Sequence, residues 1–511
     1  MIDEKKIQSD LTDVIRTFSD EFGVTPDTYI KDRPDGKFVI FEFAEATPRM
    51  YEIVGRVNSI IAEENCFKDR IYVTQRRKRP ANLLNIPEIS LLQREISASL
   101  TVDKNTFGNN FLERYIQSVT NLERQVIAQT NHMVYGRRGS GKSSLLAYAM
   151  HHLRLKGQPF AWIAIQTYRG RKDPQAIASI LGEVFALVAE FSINPTEFVA
   201  VAAELNELAE CDDEAIVDKK IVRLTPRLRR TLGSVTSSNK NLTIFLDDLH
   251  VLDREIQVRL LSVIYSLARG NRTNLKASGI EQLTNLWDGK ARHGLESPHD
   301  VQILKLDHNL TTPDQSKEHI RSILDQHARY CGLPDVQYIA GEDFINRLVL
   351  AAAAVPRDAL SLFTQAISRS YIRKQRSVSI TSLNGATSEA IEEKLKDMES
   401  DIASGDEAEI AEKLDQVKSF CLDEQKSNAF LVKIQNSKQA YKYTQKLVAL
   451  RLVHILHEGI TPHAAGERFV ALMLDYGFYI GIRAARSITL FPPEPKALAA
   501  KELRKLPILS E

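Results

Sequence analysis

Cysteine is scarce in this chain. There are four in 511 residues, Cys66, Cys211, Cys331 and Cys421, far apart and without a CxxC pair, so they read as buried free thiols in a reducing cytoplasm. An excess of one charge is also missing. Lys plus Arg number 67 against 66 Asp plus Glu, so nothing global points to a polyanion, and any nucleic-acid contact must come from local patches. No apolar run reaches the roughly 18 residues that cross a bilayer. The charged opening "MIDEKKIQSDLTDVIRTF" lacks the apolar core of a signal peptide. The expectation is a soluble, cytoplasmic protein that does not engage a membrane, and no internal repeat of 20 to 50 residues suggests a solenoid.

What is present is an ordinary globular composition, 43% hydrophobic and 26% charged, over a length that calls for several cores. Residues 1–80 read as a small α/β domain, with an amphipathic opening helix, the strand-like "KFVIFEF", a Thr-Pro helix start at "TPRMYEIVGRV" and a closing "RIYVTQ". The basic, Pro-marked stretch that follows places a linker at 81–104. Over 105–312 strands and helices alternate, the mark of a mostly parallel sheet covered by helices. The strand runs are "HMVYG", "PFAWIAIQTY" and "NLTIFL", and a helical insert, 173–240, separates the last two. Residues 313–388 are all-helical, broken at Pro356. Residues 389–426 carry 13 acidic and 5 basic side chains, so 389–438 reads as an exposed helical connector. From 439 the pattern is a helix, a stop at Gly459, a restart at Thr461-Pro462, a second helix over "AAGERFVALMLDY" and an apolar strand.

The stretch "GRRGSGKSS" fits G-x-x-x-x-G-K-[ST]. Gly136, Gly139 and Gly141 let the loop fold so that the backbone N–H groups of Arg137, Arg138, Ser140 and their neighbours face phosphate. The helix opening near Lys142, through Ser143 and Ser144, adds its positive end. Lys142 would bridge the β- and γ-phosphates, and the Ser143 hydroxyl would ligate Mg²⁺. The motif follows an apolar strand and opens a helix with Leu145, Leu146, Ala149, Met150 and Leu153 on one side, the context such a loop requires. "NLTIFLDDLH" supplies the matching half. An apolar strand ending in Asp247 is a Walker B arrangement, whose carboxylate holds Mg²⁺. Many ATPases place Glu where Asp248 stands, and Asp is one methylene shorter. Misplacing a catalytic group costs rate steeply, so slow or partner-dependent hydrolysis is expected.

With these motifs placed, the chain resembles the AAA+ ATPases, especially the initiator-like branch of origin-recognition and Cdc-type loaders, and the related STAND signalling ATPases, whose Walker B commonly reads Asp-Asp. The resemblance covers roughly residues 105–388. It implies an ASCE-type P-loop parallel sheet with a helical lid over 313–388. It places a polar sensor at Ser278, where a plain Ser-Gly strand exit is the alternative. A second, arginine sensor would be Arg357 in "AAAAVPRDALSLF", where a surface charge is the alternative. Family members assemble as rings or spirals in which one subunit's Arg completes a neighbour's site; Arg254, Arg259, Arg269 and Arg272 lie in the right region, and nothing selects among them. The segment 439–511 sits where initiator-type members carry a winged helix, with ten Lys/Arg against six Asp/Glu from residue 440.

Two functions stay open. One is an oligomerising nucleotide switch or scaffold that recruits a separate effector or regulatory protein, as in STAND proteins and anti-phage defence ATPases; Asp248 and the balanced charge favour it. The other is a DNA-binding initiator, loader or transposition regulator, which the winged-helix-like segment favours. A metabolic P-loop kinase is disfavoured because nothing resembles an acceptor site. His454 and His457 have no Cys or carboxylate cluster beside them, so the only metal expected is the Mg²⁺ of bound ATP.

Overall fold

A computed structural model describes residues 4–34, 36–102, 109–171, 173–306, 310–401, 407–435, 439–461, 467–480 and 488–510. Lys172, Pro462 and the boundary between residues 104 and 105 lie outside the described residues. The chain divides into two compact units. One comprises Met1–Thr101, Glu113–Ile116 and His308–Glu511; the other comprises Val102–Leu112 and Gln117–Asp307.

The first unit opens with α1 (Glu4–Phe22), β1 (Asp27–Arg33), β2 (Gly36–Phe43), α2 (Pro48–Ile60) and β3 (Ile71–Gln75). β2 is central, antiparallel to β1 and parallel to β3. The short turn after β1 makes the hairpin, whereas the parallel pair needs α2 as its crossover. Val14, Phe18 and Phe22 recur every four residues, so they form one buried stripe of α1. Phe18 stacks on Phe41 with ring centroids 3.9 Å apart, and each ring so buried contributes about 1.5–3 kcal/mol.

The expected linker at 81–104 is corrected. It contains α3 (Pro87–Ser99), whose Ile89, Leu91, Leu92 and Ile96 are buried. Pro87 occupies the first turn, where its missing N–H costs nothing, so it opens a helix instead of marking a linker.

The second unit runs α4 (Asn109–Leu112), α5 (Leu122–Val126), β4 (His132–Tyr135), α6 (Lys142–Leu155) and β5 (Phe160–Ala164). Three helices follow, α7 (Asp173–Ala189), α8 (Pro195–Ala209) and α9 (Glu214–Gly233), and then β6 (Leu242–Asp247), α10 (Arg254–Ala268) and β7 (Thr273–Gly279). Two-residue strands β8 (Trp287–Asp288) and β9 (His293–Gly294) precede β10 (Gln302–Lys305). The main sheet has the order β10-β4-β7-β6-β5 with every pair parallel. β6 is buried at all six positions, as a strand covered on both faces must be. This order sets β7 between β4 and β6, the strands that lead into the two phosphate motifs.

The first unit resumes with α11 (Pro313–Tyr330), α12 (Glu342–Ala351), α13 (Pro356–Ile372), α14 (Ile380–Asp401) and α15 (Glu407–Ser419). These are followed by β11 (Ala429–Lys433), α16 (Gln439–Ala449), β12 (Val453–Ile460) and β13 (Phe469–Leu474). The three strands form an antiparallel sheet in the order β11-β13-β12. The acidic connector is corrected too. The expected boundary at residue 388 falls inside α14, and Ile391, Ile410, Leu414 and Val417 are buried, so the charge clothes the outer faces of packed helices.

The helix, turn, helix and strand expected from 439 are also corrected. Arg451 takes a left-handed backbone, φ 61°, just past α16, and the chain turns into β12, not a longer helix. "FVALML" is the central strand, buried at all six positions, and an apolar run of that kind cannot be told from a buried helix by periodicity. His454 and His457 therefore lie on a strand, not one helical turn apart. Gly481 and Ile482, the end of the expected final strand, lie outside the described residues.

Candidate nucleotide site

The loop after β4 is shaped by its glycines. A Cβ at Gly136 would stand 2.4 Å from the Ser140 Oγ and 2.9 Å from the Leu306 carbonyl oxygen, so only glycine fits. Gly139 and Gly141 sit at φ 84° and 97°, the left-handed region where a side chain is strained. The loop closes on itself as the Ser140 N–H donates to the Arg137 carbonyl at 3.2 Å. Lys142 opens α6 with its side chain curled inward, Nζ donating to the same carbonyl at 3.2 Å, and only 6% of the residue is exposed. The Ser140 hydroxyl is buried and has no hydrogen-bond partner.

At the C-terminal end of β6, Asp247 is 8% exposed. Its Oδ1 accepts from the Ser278 hydroxyl at 2.6 Å, and the Ser143 side chain also hydrogen bonds to it. Burial pushes the Asp247 carboxyl up to about 6, the neighbouring Asp248 charge adds to this, and the Ser278 and Ser143 bonds and the Lys142 charge oppose it. The loop serine and the strand carboxylate therefore face each other, as two ligands of one divalent cation must. These groups fit Mg²⁺ on a nucleotide phosphate. The buried carboxylate is short of positive charge, Lys142 and the first turn of α6 bring positive charge to the loop, and the Ser140 hydroxyl has a hydrogen bond to give.

Ser278 does double duty. It is fully buried on β7, and its oxygen accepts the Asp248 backbone N–H at 2.9 Å while its hydrogen goes to Asp247. That bond helps hold Asp248 at φ 61°, a left-handed position uncommon for a non-glycine residue. Asp248 Oδ2 accepts from the Gln166 side-chain amide at 2.8 Å. His250 Nδ1 lies 3.8 Å from Asp248 Oδ1 and is buried without a hydrogen bond. Burial, then the charges of Lys142 and Arg138, push the His250 imidazole down to about 4 against the pull of Asp248, so it is neutral at pH 7.

Residues 136–144, Asp247, Asp248 and Ser278 thus meet at one end of one sheet, where the C-terminal ends of parallel strands gather. Arg357 does not belong to this unit; it is exposed on the first turn of α13 in the other. Arg254, Arg259 and Arg272 are engaged locally, with the Gln282 carbonyl, Asp218 and the Ser238 carbonyl. Arg76 pairs with Asp27 and Glu88, and Arg227 with Glu204. Gln166 and His250 were not singled out from the sequence. Gln166 lies two residues beyond β5, and the rule that sites gather at strand C-termini points to it.

A parallel sheet in this order, with the loop after β4 and the carboxylate ending β6, is a P-loop fold of the AAA+ type. The family model described as AAA ATPase domain matches residues 112–275, so the chain carries such a domain. Similar solved structures include the origin-recognition protein ORC1 of Aeropyrum pernix in complex with DNA, 14% identical, covering 71% of this chain and 90% of that one with a TM-score of 0.39. Cdc6p of Pyrobaculum aerophilum is 15% identical, covering 79% and 98% with a TM-score of 0.36. A Walker-type ATPase of Pyrococcus abyssi is 12% identical, covering 73% and 97% with a TM-score of 0.41. No curated protein sequence matches the chain. Among the described residues, no helix is long and apolar enough to cross a membrane, and no cluster of three His, Cys, Asp or Glu could hold a metal ion.

Proposed function

We propose that this chain binds ATP with Mg²⁺ and hydrolyses it slowly, as an oligomerising nucleotide switch that recruits a separate effector or regulatory protein of the kind used by anti-phage defence ATPases. The observation that carries slow turnover is the state of Asp248. Gln166 holds its Oδ2 and Ser278 holds its backbone, so turning the carboxylate toward a water molecule works against both bonds. Mg²⁺, when bound, neutralises charge on the phosphates; Ser143 and Asp247 would hold it. Lys142 and the loop N–H groups bind and orient the phosphates, and Ser278 keeps the two carboxylates apart in role.

The test measures turnover and mass in solution, for the wild type and Lys142→Ala, with and without a non-hydrolysable ATP analogue. Assembly of the wild type alone on adding the analogue, with turnover below about 1 per second, is the expected result. Faster turnover by the isolated chain, or a mass unchanged by nucleotide, would overturn this reading.

The second reading, a DNA-binding initiator-type ATPase, has its own observation. From α15 onward the elements run α15, β11, α16, β12, β13 with sheet order β11-β13-β12, which supports a winged-helix-like unit. α16 turns Lys442 and Gln445 to solvent just before the β12–β13 hairpin, where a recognition helix would lie. Salt-dependent duplex binding lost in Lys442→Glu would support it.

A further inference from the structure

We propose that the outer face of the N-terminal sheet, β1-β2-β3, is a base-stacking platform for single-stranded nucleic acid. α1 and α2 cover one face of this sheet, where Val39, Phe41, Phe43, Ile71 and Val73 belong to the core. A sheet covered on one side ordinarily turns polar residues to the other. Here the alternate positions instead bring Tyr29, Phe38, Ile40 and Tyr72 to the outer face.

The register aligns them. Tyr29 of β1 pairs with Ile40 of β2, which pairs with Tyr72 of β3, and Phe38 lies two residues before Ile40, opposite Lys31. The Phe38 and Tyr72 rings are 5.4 Å apart. Phe38 and Ile40 are 4% and 5% exposed although they lie outside the core that α1 and α2 build, while Tyr29 and Tyr72, on the flanking strands, are 42% and 45% exposed. Two accessible rings therefore flank an apolar floor, roughly 10 Å apart across two strand spacings.

Cations gather at one end of this face. The Arg33 guanidinium lies 5.0 Å from the Phe38 ring centroid and 5.6 Å from that of Tyr72. Lys31 is exposed in the row beside Phe38. The Arg70 guanidinium lies over Gly36, where a Cβ would stand 2.5 Å from its Nη1, so glycine there makes room for the charge. Carboxylates stand at the opposite end, Asp27 opposite Glu42, and Asp27 is already paired with Arg76. Flat rings beside fixed cations suit a flexible strand whose bases stack on the tyrosines while its phosphates meet Lys31, Arg33 and Arg70. A duplex hides its base faces, and a purely apolar protein surface would leave three cations without partners. The inference does not rest on the nucleotide site.

The test titrates the full chain into labelled 12-nucleotide single strands, read by anisotropy at about 50 and 200 mM salt. A hairpin duplex of the same sequence and a strand of abasic sites serve as comparisons. Expected are salt-sensitive binding of the single strand, weaker binding of the duplex and abasic strand, and at least a tenfold loss in Tyr29→Ala/Tyr72→Ala. Tyr29→Phe/Tyr72→Phe should keep the affinity, because stacking needs the ring and not the hydroxyl. Lys31→Ala/Arg33→Ala should flatten the salt slope by about 0.7 per cation removed. Unchanged melting temperatures and ATP-analogue binding would show that the variants fold. No binding at low salt, equal binding of the abasic strand, or a tyrosine-to-alanine double variant that binds as well as wild type would overturn the proposal.

Discussion

Asp247 and Asp475 are both buried at the exit of a strand, yet their surroundings drive them in opposite directions. Asp475, just past β13, receives Lys394 Nζ at 2.7 Å, His454 Nε2 at 2.8 Å and the Gly477 N–H at 2.9 Å. Burial alone would raise its carboxyl, and Lys394 and His454 more than reverse that, holding it well below the ordinary carboxylate range. Asp247, at the end of β6, has two hydroxyl bonds, the negative charge of Asp248 beside it and Lys142 as the cation that lowers it, so its carboxyl sits at about 6. The first carboxylate is charge-balanced and ties α14 to the C-terminal sheet. The second is charge-deficient, which is the state the proposed Mg²⁺ would relieve. A buried carboxylate short of positive charge marks where this protein expects a ligand; a satisfied one marks where it holds itself together.

The largest break of this contrast is Asp475→Ala, which leaves the buried His454 and the partly buried Lys394 without their carboxylate and should cost about 3–5 kcal/mol of stability in denaturant melts. Asp247→Asn should leave those melts nearly unchanged or slightly improved, because it relieves an unfavourable charge. It should instead lower Mg²⁺-dependent ATP turnover about 10²–10³-fold. Ser278→Ala takes one bond from Asp247 and one from Asp248 and should slow turnover by about tenfold. It should also carry the acid limb of the rate profile to higher pH, since Asp247 then ionises less readily.

The pH dependences should run in opposite senses. With its folded value raised, Asp247 is protonated below about 6 and Mg²⁺ affinity falls there; in stability terms its ionisation weakens the fold as pH rises from the ordinary carboxylate range through about 6. With its folded value depressed, Asp475 stabilises the fold above the ordinary range, and that contribution is lost as pH falls below it. Titration of nucleotide-free stability and of Mg²⁺ affinity separates the two. Gln166→Ala should have the smallest effect, a rise in turnover of roughly two- to fivefold with nucleotide affinity unchanged, because it frees Asp248; a fall would show that the amide helps orient the water.

The candidate nucleotide site was legible because the chemistry it would perform constrains short, contiguous stretches. Gly136, Gly139 and Gly141 are demanded by a loop whose backbone must approach phosphate, and Asp247 by a strand that must end in a carboxylate. The fold class followed from strands and helices alternating around those motifs. The C-terminal segment gave no such signal. "FVALML" is apolar at every position and "LVHILHEGI" satisfies both helical and strand spacing, so only the pairing of β13 with β11 and β12 decided between them. The stretch containing α3 misled for a related reason, since Pro87 is a helix opener or a linker mark depending on whether something packs against the next turn.

The sequence by itself determined a glycine-shaped loop, a strand that ends in a carboxylate and the parallel sheet between them, because each depends on residue types at fixed local spacing. Only the tertiary structure decided that Ser278 ties Asp247 to Asp248, that Gln166 bonds Asp248 Oδ2, that Asp475 is charge-balanced by side chains 81 and 21 residues away, and that Tyr29 and Tyr72 share one face. These are contacts between residues distant in the chain. Strand order and register set them, and no local spacing records which strands become neighbours.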